Sequence, residues 1–521
     1  MKLKRTICFL LTLTLLLSLA VPINVSAASK SKAIVIIPGI AGSKLFNSSN
    51  DVVWLSIVNP GRMSQLACNT NGTSTNTIHI DEQDTYGTLD TSKKLYKAIY
   101  DAYKNAYDII FFSYDWRMNC ATAASRLQTK LSNYSEVIIV AHSMGGLVAS
   151  KYLSMSEANR NKVKKFISIG TPYAGAVRAL YIMETGEFVT IPGINISPFR
   201  NTIKGLVCNF PAMYQLLPTK RYLESYSNGY IKNGTTQYTT HNASWAFMKQ
   251  RNWGKSSGTV KPMFNTAINF HDSLIVGGTH VANSSSVNSY KIYGTGEDTI
   301  SRVIYASDGT ISVAVSTAGD STVLTKSATN GLSTSNNRVY GFSCSHMDLA
   351  KNTSVINKVK DIISGNVSSS FQLNSIQETE KKRINFIAYN CNEIDLYTES
   401  GNRVCFENNT LFYNTTDGTR VIVGSYWPLG NNSCQYVLYD GKYYAKVSGE
   451  QHSNKTNIRI DYANDDVFTK STMYTDIGDY SFVIGDNSSK KISCVDEQTQ
   501  TMVEKTVEYS QREIAVMNGE S

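Results

Sequence analysis

Val137-Ile-Ile-Val-Ala-His-Ser-Met-Gly-Gly-Leu-Val148 runs four β-branched residues into a turn of small residues and out into a helical pattern. A continuous apolar run of this kind suits a parallel strand buried on both faces. A serine between such a strand and the next helix sits on a tight, strained turn. Small residues two before and two after it relieve the crowding there. Ala141 and Gly145 fill those positions, and Gly146 adds room for the backbone. Alanine stands where glycine is commoner, which is a conservative exchange. Ser143 is therefore the candidate nucleophile, and a serine that only caps the helix is the competing reading. His142 adjoins it, but neighbouring side chains diverge on a sharp turn, so His142 is expected to be structural.

Working outward, short apolar runs recur at Ala33–Ile37, Asp108–Phe112 and Phe166–Ile169, with helical patterns at Ser92–Tyr107 and Thr122–Tyr134. Strands alternating with helices imply an α/β fold with a mostly parallel sheet. Two stretches break the rhythm, at about 47–88 and about 177–255. Long insertions at strand ends are where lids and substrate caps are built. Ser364-Gly-Asn-Val-Ser-Ser-Ser370 reads as a linker. Beyond it, short runs such as Ile384–Tyr389, Gln435–Tyr439 and Tyr480–Ile484 alternate with Gly- and Asn-containing turns. They predict an all-β accessory domain over 366–521, a sandwich or small barrel, after a catalytic α/β domain over 28–365.

A serine needs a base, and the base an orienting carboxylate. In an α/β-hydrolase fold the chain order is serine, acid, histidine. Asp308 follows the strand-like Val303-Ile-Tyr305 at a glycine turn, and His346 comes 38 residues later, just before a helical run. These two fit by order, spacing and setting. Asp298, Asp320 and Asp348 are weaker rivals for the acid. His241, His271 and His280 would break the order, and His452 falls in the second region. For the oxyanion, backbone N–H groups are expected from Met144 and from Ile40, which Gly39 would turn toward the site. Trp54, Trp116 and Trp245 are candidates for an acyl groove, Trp54 foremost, with core packing the safer reading of Trp116. Asp115 and Arg117 read as a structural ion pair beneath the site.

As a set, these motifs resemble the lecithin:cholesterol acyltransferase family, which includes lysosomal phospholipase A2 and phospholipid:diacylglycerol acyltransferases. The resemblance rests on Ile37-Pro-Gly-Ile-Ala-Gly-Ser-Lys-Leu45, Ser113-Tyr-Asp-Trp-Arg117, Ala141-His-Ser-Met-Gly-Gly146 and Gly170-Thr-Pro-Tyr-Ala-Gly175. Phe210-Pro-Ala-Met-Tyr-Gln-Leu-Leu-Pro218, Tyr293-Gly-Thr-Gly296, Ser307-Asp-Gly-Thr-Ile311 and His346-Met-Asp-Leu349 continue it. It implies an α/β-hydrolase with Ser143, Asp308 and His346 as triad and Ile40 and Met144 as oxyanion donors. The family's acid motif usually begins Gly-Asp, whereas here it begins with Ser307. Members with a disulfide-closed lid carry a cysteine pair in the first insertion, and this chain has only Cys68 there.

Lys2, Lys4 and Arg5, the apolar Ile7–Val21 and Val25-Ser-Ala27 have the form of a secretory leader over 1–27. The formal charge of +9 includes those three cations, and the remaining basic residues are scattered. No nucleic-acid motif accompanies them. Export permits disulfides, but spacing does not reveal their pairing. No metal-ligand cluster is visible, and ester chemistry on a serine requires no cofactor. The expectation is a secreted serine acyl hydrolase or acyltransferase acting on lipid esters at a membrane or micelle surface. A carboxylesterase for soluble esters, or a non-catalytic glycan- or surface-binding protein on a hydrolase scaffold, is the alternative.

Overall fold

The structure is a computed structural model. It describes residues 31–518 except 55, 57–59, 83–89, 189–199, 252, 254–261, 307–308, 368–380, 392–393, 408, 431, 448–455, 465–466 and 504–505. The leader expected at 1–27 and the end of the expected linker lie outside the described residues.

The strands that position the site are β1 (Lys32–Ile37), β2 (Asp108–Phe111), β3 (Glu136–His142), β4 (Val163–Ile169), β5 (Ile231–Asn233), β6 (Ser289–Thr295), β7 (Thr299–Tyr305), β8 (Ile311–Ser316) and β9 (Val339–Ser343). Six of them form one sheet in the order β2-β1-β3-β4-β6-β9, parallel throughout. Successive side chains alternate between its faces. Val35, Ile37, Ile139 and Ala141 enter one buried cluster, and Ile34, Ile36, Ile138 and Val140 enter another on the opposite face. Helices cover both, which is why the strands read as unbroken apolar runs. The helix Cys120–Lys130 starts where the Asn119 side chain accepts from the Ala121 N–H. The helix Thr353–Ser364 is capped by Asn352 and ends at Gly365, with φ +84°. The chain leaves β1 for β2 on one side and returns to β3 on the other. Beyond the carboxyl ends of β1 and β3 this reversal opens the crevice where α/β sheets place their ligands.

The first insertion folds as three short antiparallel strands, Leu45–Asn47, Val52–Trp54 and Ile78–His79, with a 3₁₀ helix at Pro60–Leu66. Helices Val177–Thr185, Arg200–Val207, Pro211–Gln215, Lys220–Ser225 and His241–Gln250 make up the second. The same packing continues past 255 through the helix Met263–Asp272, with Phe264 against Trp245 at 5.2 Å, before the sheet resumes at β6.

Between β6 and β9 the chain makes a hairpin, β7–β8, that leaves the central sheet. It pairs with β5 in a separate four-stranded sheet. Beyond residue 380 the fold is two antiparallel sheets, of eight and four strands. The strand Lys382–Tyr389 runs through the larger one, between Ser433–Tyr439 and Thr456–Asn464. Its Ile384, Phe386 and Ala388 face the smaller sheet, with Phe386 against Phe482 at 5.4 Å, as in a β-sandwich. Its alternate residues meet the α/β unit. Arg383 forms a buried ion pair with Asp298 (2.6 Å), just before β7. Beside Asn385, Gln435 donates to the Val313 carbonyl and accepts from the Val313 N–H, both at 2.8 Å. The C-terminal sheet thus docks on the hairpin.

Candidate active site

Ser143 follows β3 with φ +54°, a left-handed conformation that costs a non-glycine residue energy and persists only when its surroundings enforce it. Here the Ser143 N–H is tied to the Ile169 carbonyl at the end of β4 (2.8 Å). The helix Gly145–Met155 begins two residues on. A Cβ on Gly145 would lie 2.5 Å from the Ile37 carbonyl oxygen, and one on Gly146 would lie 1.9 Å from Thr171 Oγ1. Only glycine lets the helix start this close to the ends of β1 and β4. Gly39, after β1, is equally confined: its Cβ would lie 2.8 Å from Ser143 Cβ. The Gly39-Ile40 peptide therefore lies against the serine. Neither the Ile40 nor the Met144 N–H donates to an acceptor among the described residues.

His346 lies in the loop after β9. Its Nε2 is 2.9 Å from Ser143 Oγ, and its Nδ1 is 2.8 Å from Asp320 Oδ2. All three side chains are buried: Ser143 is 7%, His346 4% and Asp320 0% exposed. The Asp320 carboxylate also accepts from the N–H groups of Thr322 (3.1 Å) and Val323 (2.7 Å). The Asp320 carbonyl accepts from the His346 N–H. One aspartate thus grips both the ring and the main chain of the histidine.

The acid expected at Asp308 lies outside the described residues, and Asp320 occupies the Nδ1 side of His346. The strand before Asp308 belongs to the outlying four-stranded sheet, not to the central one. Once the hairpin is taken as an insertion, Asp320 is the residue that follows β6. The Gly319-Asp320 step after β8 could have marked it, but β7 carried the stronger strand signal. The other rivals have different work: Asp298 binds Arg383, and the exposed Asp348 accepts from Ser345 (2.7 Å).

His142 is structural in a specific way. Its Nε2 lies 3.1 Å from the His346 carbonyl oxygen, and the two rings lie 4.9 Å apart. Burial, reinforced by nearby His346, pushes its pKa down to about 3, so it stays neutral and donates that hydrogen bond. Sequence reading missed this contact, because nothing local signals which carbonyl a buried ring will reach.

Trp54 is buried rather than set on an open groove. Its indole N–H donates to the Ala41 carbonyl (2.8 Å), and its ring packs edge-on against Trp116 at 5.1 Å. It braces the loop after β1. Arg117 clasps Asp115 through two nitrogens (2.9 and 2.7 Å) and donates to the Leu66 carbonyl (2.7 Å) and Ser74 Oγ (3.2 Å). This bidentate pair fastens the first insertion to the sheet. Cys68 is a free, buried thiol beside Arg117, so this fastening is ionic.

Sheet order, strained serine turn and histidine contacts together give the arrangement of an α/β-hydrolase. Residues 92–286, which include Ser143, match the family model described as Lecithin:cholesterol acyltransferase. Over 93 residues it is 38% identical to an uncharacterized protein of Saccharomyces cerevisiae, a match spanning 16% of this chain and only 13% of that one. Among solved structures it is similar to the Tle4–Tli4 complex (14% identity, TM-score 0.46, 67% of this chain and 100% of that one). It is also similar to Bacillus licheniformis lipase BlEst2 in its propeptide form (12% identity, TM-score 0.34, 90% and 97%).

Proposed function

We propose that this chain is a serine hydrolase or acyltransferase of lipid esters, exported by its N-terminal leader, with Ser143, His346 and Asp320 as its triad. The observation that carries the reading is the Asp320–His346–Ser143 relay, at 2.8 and 2.9 Å, on a serine turn with φ +54°. Ser143 Oγ attacks the ester carbonyl while His346 Nε2 takes its proton. Asp320 holds the ring with Nδ1 protonated and stabilises the imidazolium. The N–H groups of Ile40 and Met144 receive the oxyanion; such donors are each worth about 10²–10³ in rate. His346 then protonates the leaving alcohol. Water or a second alcohol, deprotonated by His346, releases the acyl group from Ser143. Hydrolysis is the favoured outcome in a water-rich exterior. The family match supports a lipid substrate. We assign catalysis to 28–365 and an accessory role to 366–521.

A fluorophosphonate probe should label the wild-type chain and spare Ser143→Ala; labelling of both would reject the nucleophile. A lipid-class panel with product analysis, run with and without an added alcohol, separates hydrolase from transferase. Turnover of soluble short-chain esters alone, with no rate gain on micelles, would reject the lipid reading.

A further inference from the structure

The Asp320 carboxylate is steadied from the base of the β7–β8 hairpin. Thr299, the first residue of β7, is fully buried, and its hydroxyl makes two hydrogen bonds. It donates to the Glu297 carbonyl (2.9 Å) and accepts from the Ser321 N–H (2.8 Å). The first bond uses the one hydroxyl proton, so a lone pair is left for Ser321. Ser321 has φ +77°, a left-handed conformation that a serine keeps only where its surroundings enforce it. The same threonine confines the other flank of the acid: a Cβ on Gly319 would lie 2.5 Å from Thr299 Oγ1. The Gly319 carbonyl also accepts from the Glu297 N–H (3.1 Å). Residues on both sides of Asp320 are therefore fixed by the segment 297–299. That segment is anchored in turn by the C-terminal sheet, because Asp298 pairs with Arg383 (2.6 Å) and accepts from Ser425 Oγ (2.8 Å).

We propose that Thr299 is a positioning residue for the catalytic acid: its hydroxyl locks the Ser321 main chain and so aims the Asp320 carboxylate at His346. This rests on the assignment of Asp320 to the triad. Thr299 itself touches no reacting atom and acts through the loop that carries the acid.

The test is steady-state kinetics of the full chain on one short-chain ester, with Asp320→Asn as the reference. Thr299→Val keeps the branched shape and removes the acceptor. It should lower kcat about tenfold with KM unchanged, because a small misplacement of a catalytic group slows the chemistry without weakening substrate binding. Thr299→Ser, which keeps the hydroxyl, should recover kcat to within about twofold of wild type. The His346 Nδ1–H proton, bonded to the Asp320 carboxylate, should give a far-downfield NMR signal that moves upfield in Thr299→Val. Loss of packing alone would not move it. If Thr299→Val fails to fold, Thr299→Cys, whose sulfur is a weak acceptor, takes its place with the same expectation. Wild-type kcat or an unmoved signal in the variant lacking the hydroxyl would overturn the inference, and so would an equal loss in Thr299→Ser. Wild-type kcat in Asp320→Asn would remove the triad assignment and this inference with it. An impaired Asp320→Asn beside an unimpaired Thr299→Val would sink this inference alone.

Discussion

The two ends of one hairpin do opposite things. At its base, β8 leads within four residues to Asp320, whose carboxylate is wholly buried and shared between His346 and two backbone N–H groups. Its outer half faces a cavity whose charged lining among the described residues is Lys232, Arg459 and Arg512. Asp308 has the more conventional surroundings in sequence, after a strand-like run and before a glycine. The difference teaches that an acid is defined by the sheet its strand belongs to. The C-terminal region grips the hairpin along its length, through Arg383 on Asp298 and Gln435 on Val313. It therefore holds the segment that delivers the acid.

The sharpest way to break this contrast is to exchange the two carboxylates' fates. Asp320→Asn should lower kcat by about 10⁴, because the imidazole loses its tautomer and its counter-charge. Asp308→Asn should leave kcat within roughly twofold, because Asp320 already holds the Nδ1 side of His346. Steady-state kinetics on one ester decide it, and the reverse pattern would restore Asp308.

Next in size is the grip of the C-terminal sheet. Arg383→Met leaves Asp298 buried without its cation and should destabilise the fold by about 3–5 kcal/mol. Urea unfolding would measure this, and Arg383→Met with Asp298→Leu should recover part of the loss. Removal of 370–521 should yield a chain that fails to fold, since it strips the same contacts. A stable, active fragment would show that the hairpin stands alone.

Comparable in size is the effect of pH. Burial depresses the pKa of His142 to about 3 and that of His280 well below its usual value, so the fold holds both neutral. The unfolded chain takes up protons near pH 6.5, where the folded one does not. Their contribution is therefore full above about pH 6.5 and declines as pH falls, by about 1.4 kcal/mol per unit for each. Calorimetric Tm values from pH 7 to 5 should fall accordingly, and a flat profile would contradict it.

The smallest expected change comes from His142→Phe, which removes one hydrogen bond to the His346 carbonyl. A net loss of about 1 kcal/mol corresponds to roughly a fivefold fall in kcat, with KM unchanged. His142→Gln, which keeps a donor, should recover part of it.

Much of the α/β unit is legible in residues alone. Val137–Val140 reads as a buried strand, and Gly145 and Gly146 are small because neighbouring backbone and Thr171 leave no space for more. Such signals are local, since they record what touches a residue within a turn or across one strand pair. The pairing of Ser143 with His346 was also readable, from chain order and loop setting. Asp320 was not readable as the acid, nor His142 as the brace for His346, nor Trp54 as the brace for the loop after β1. Each depends on which loops meet at the carboxyl ends of the sheet.

The sequence by itself determined a strained serine turn at the end of a parallel strand, and a histidine placed to serve it, because steric limits and periodicity act over a few residues. Tertiary structure alone decided which carboxylate reaches the imidazole and which sheet holds the hairpin that carries it. Those outcomes depend on strand order and docking, which bring together groups many residues apart along the chain.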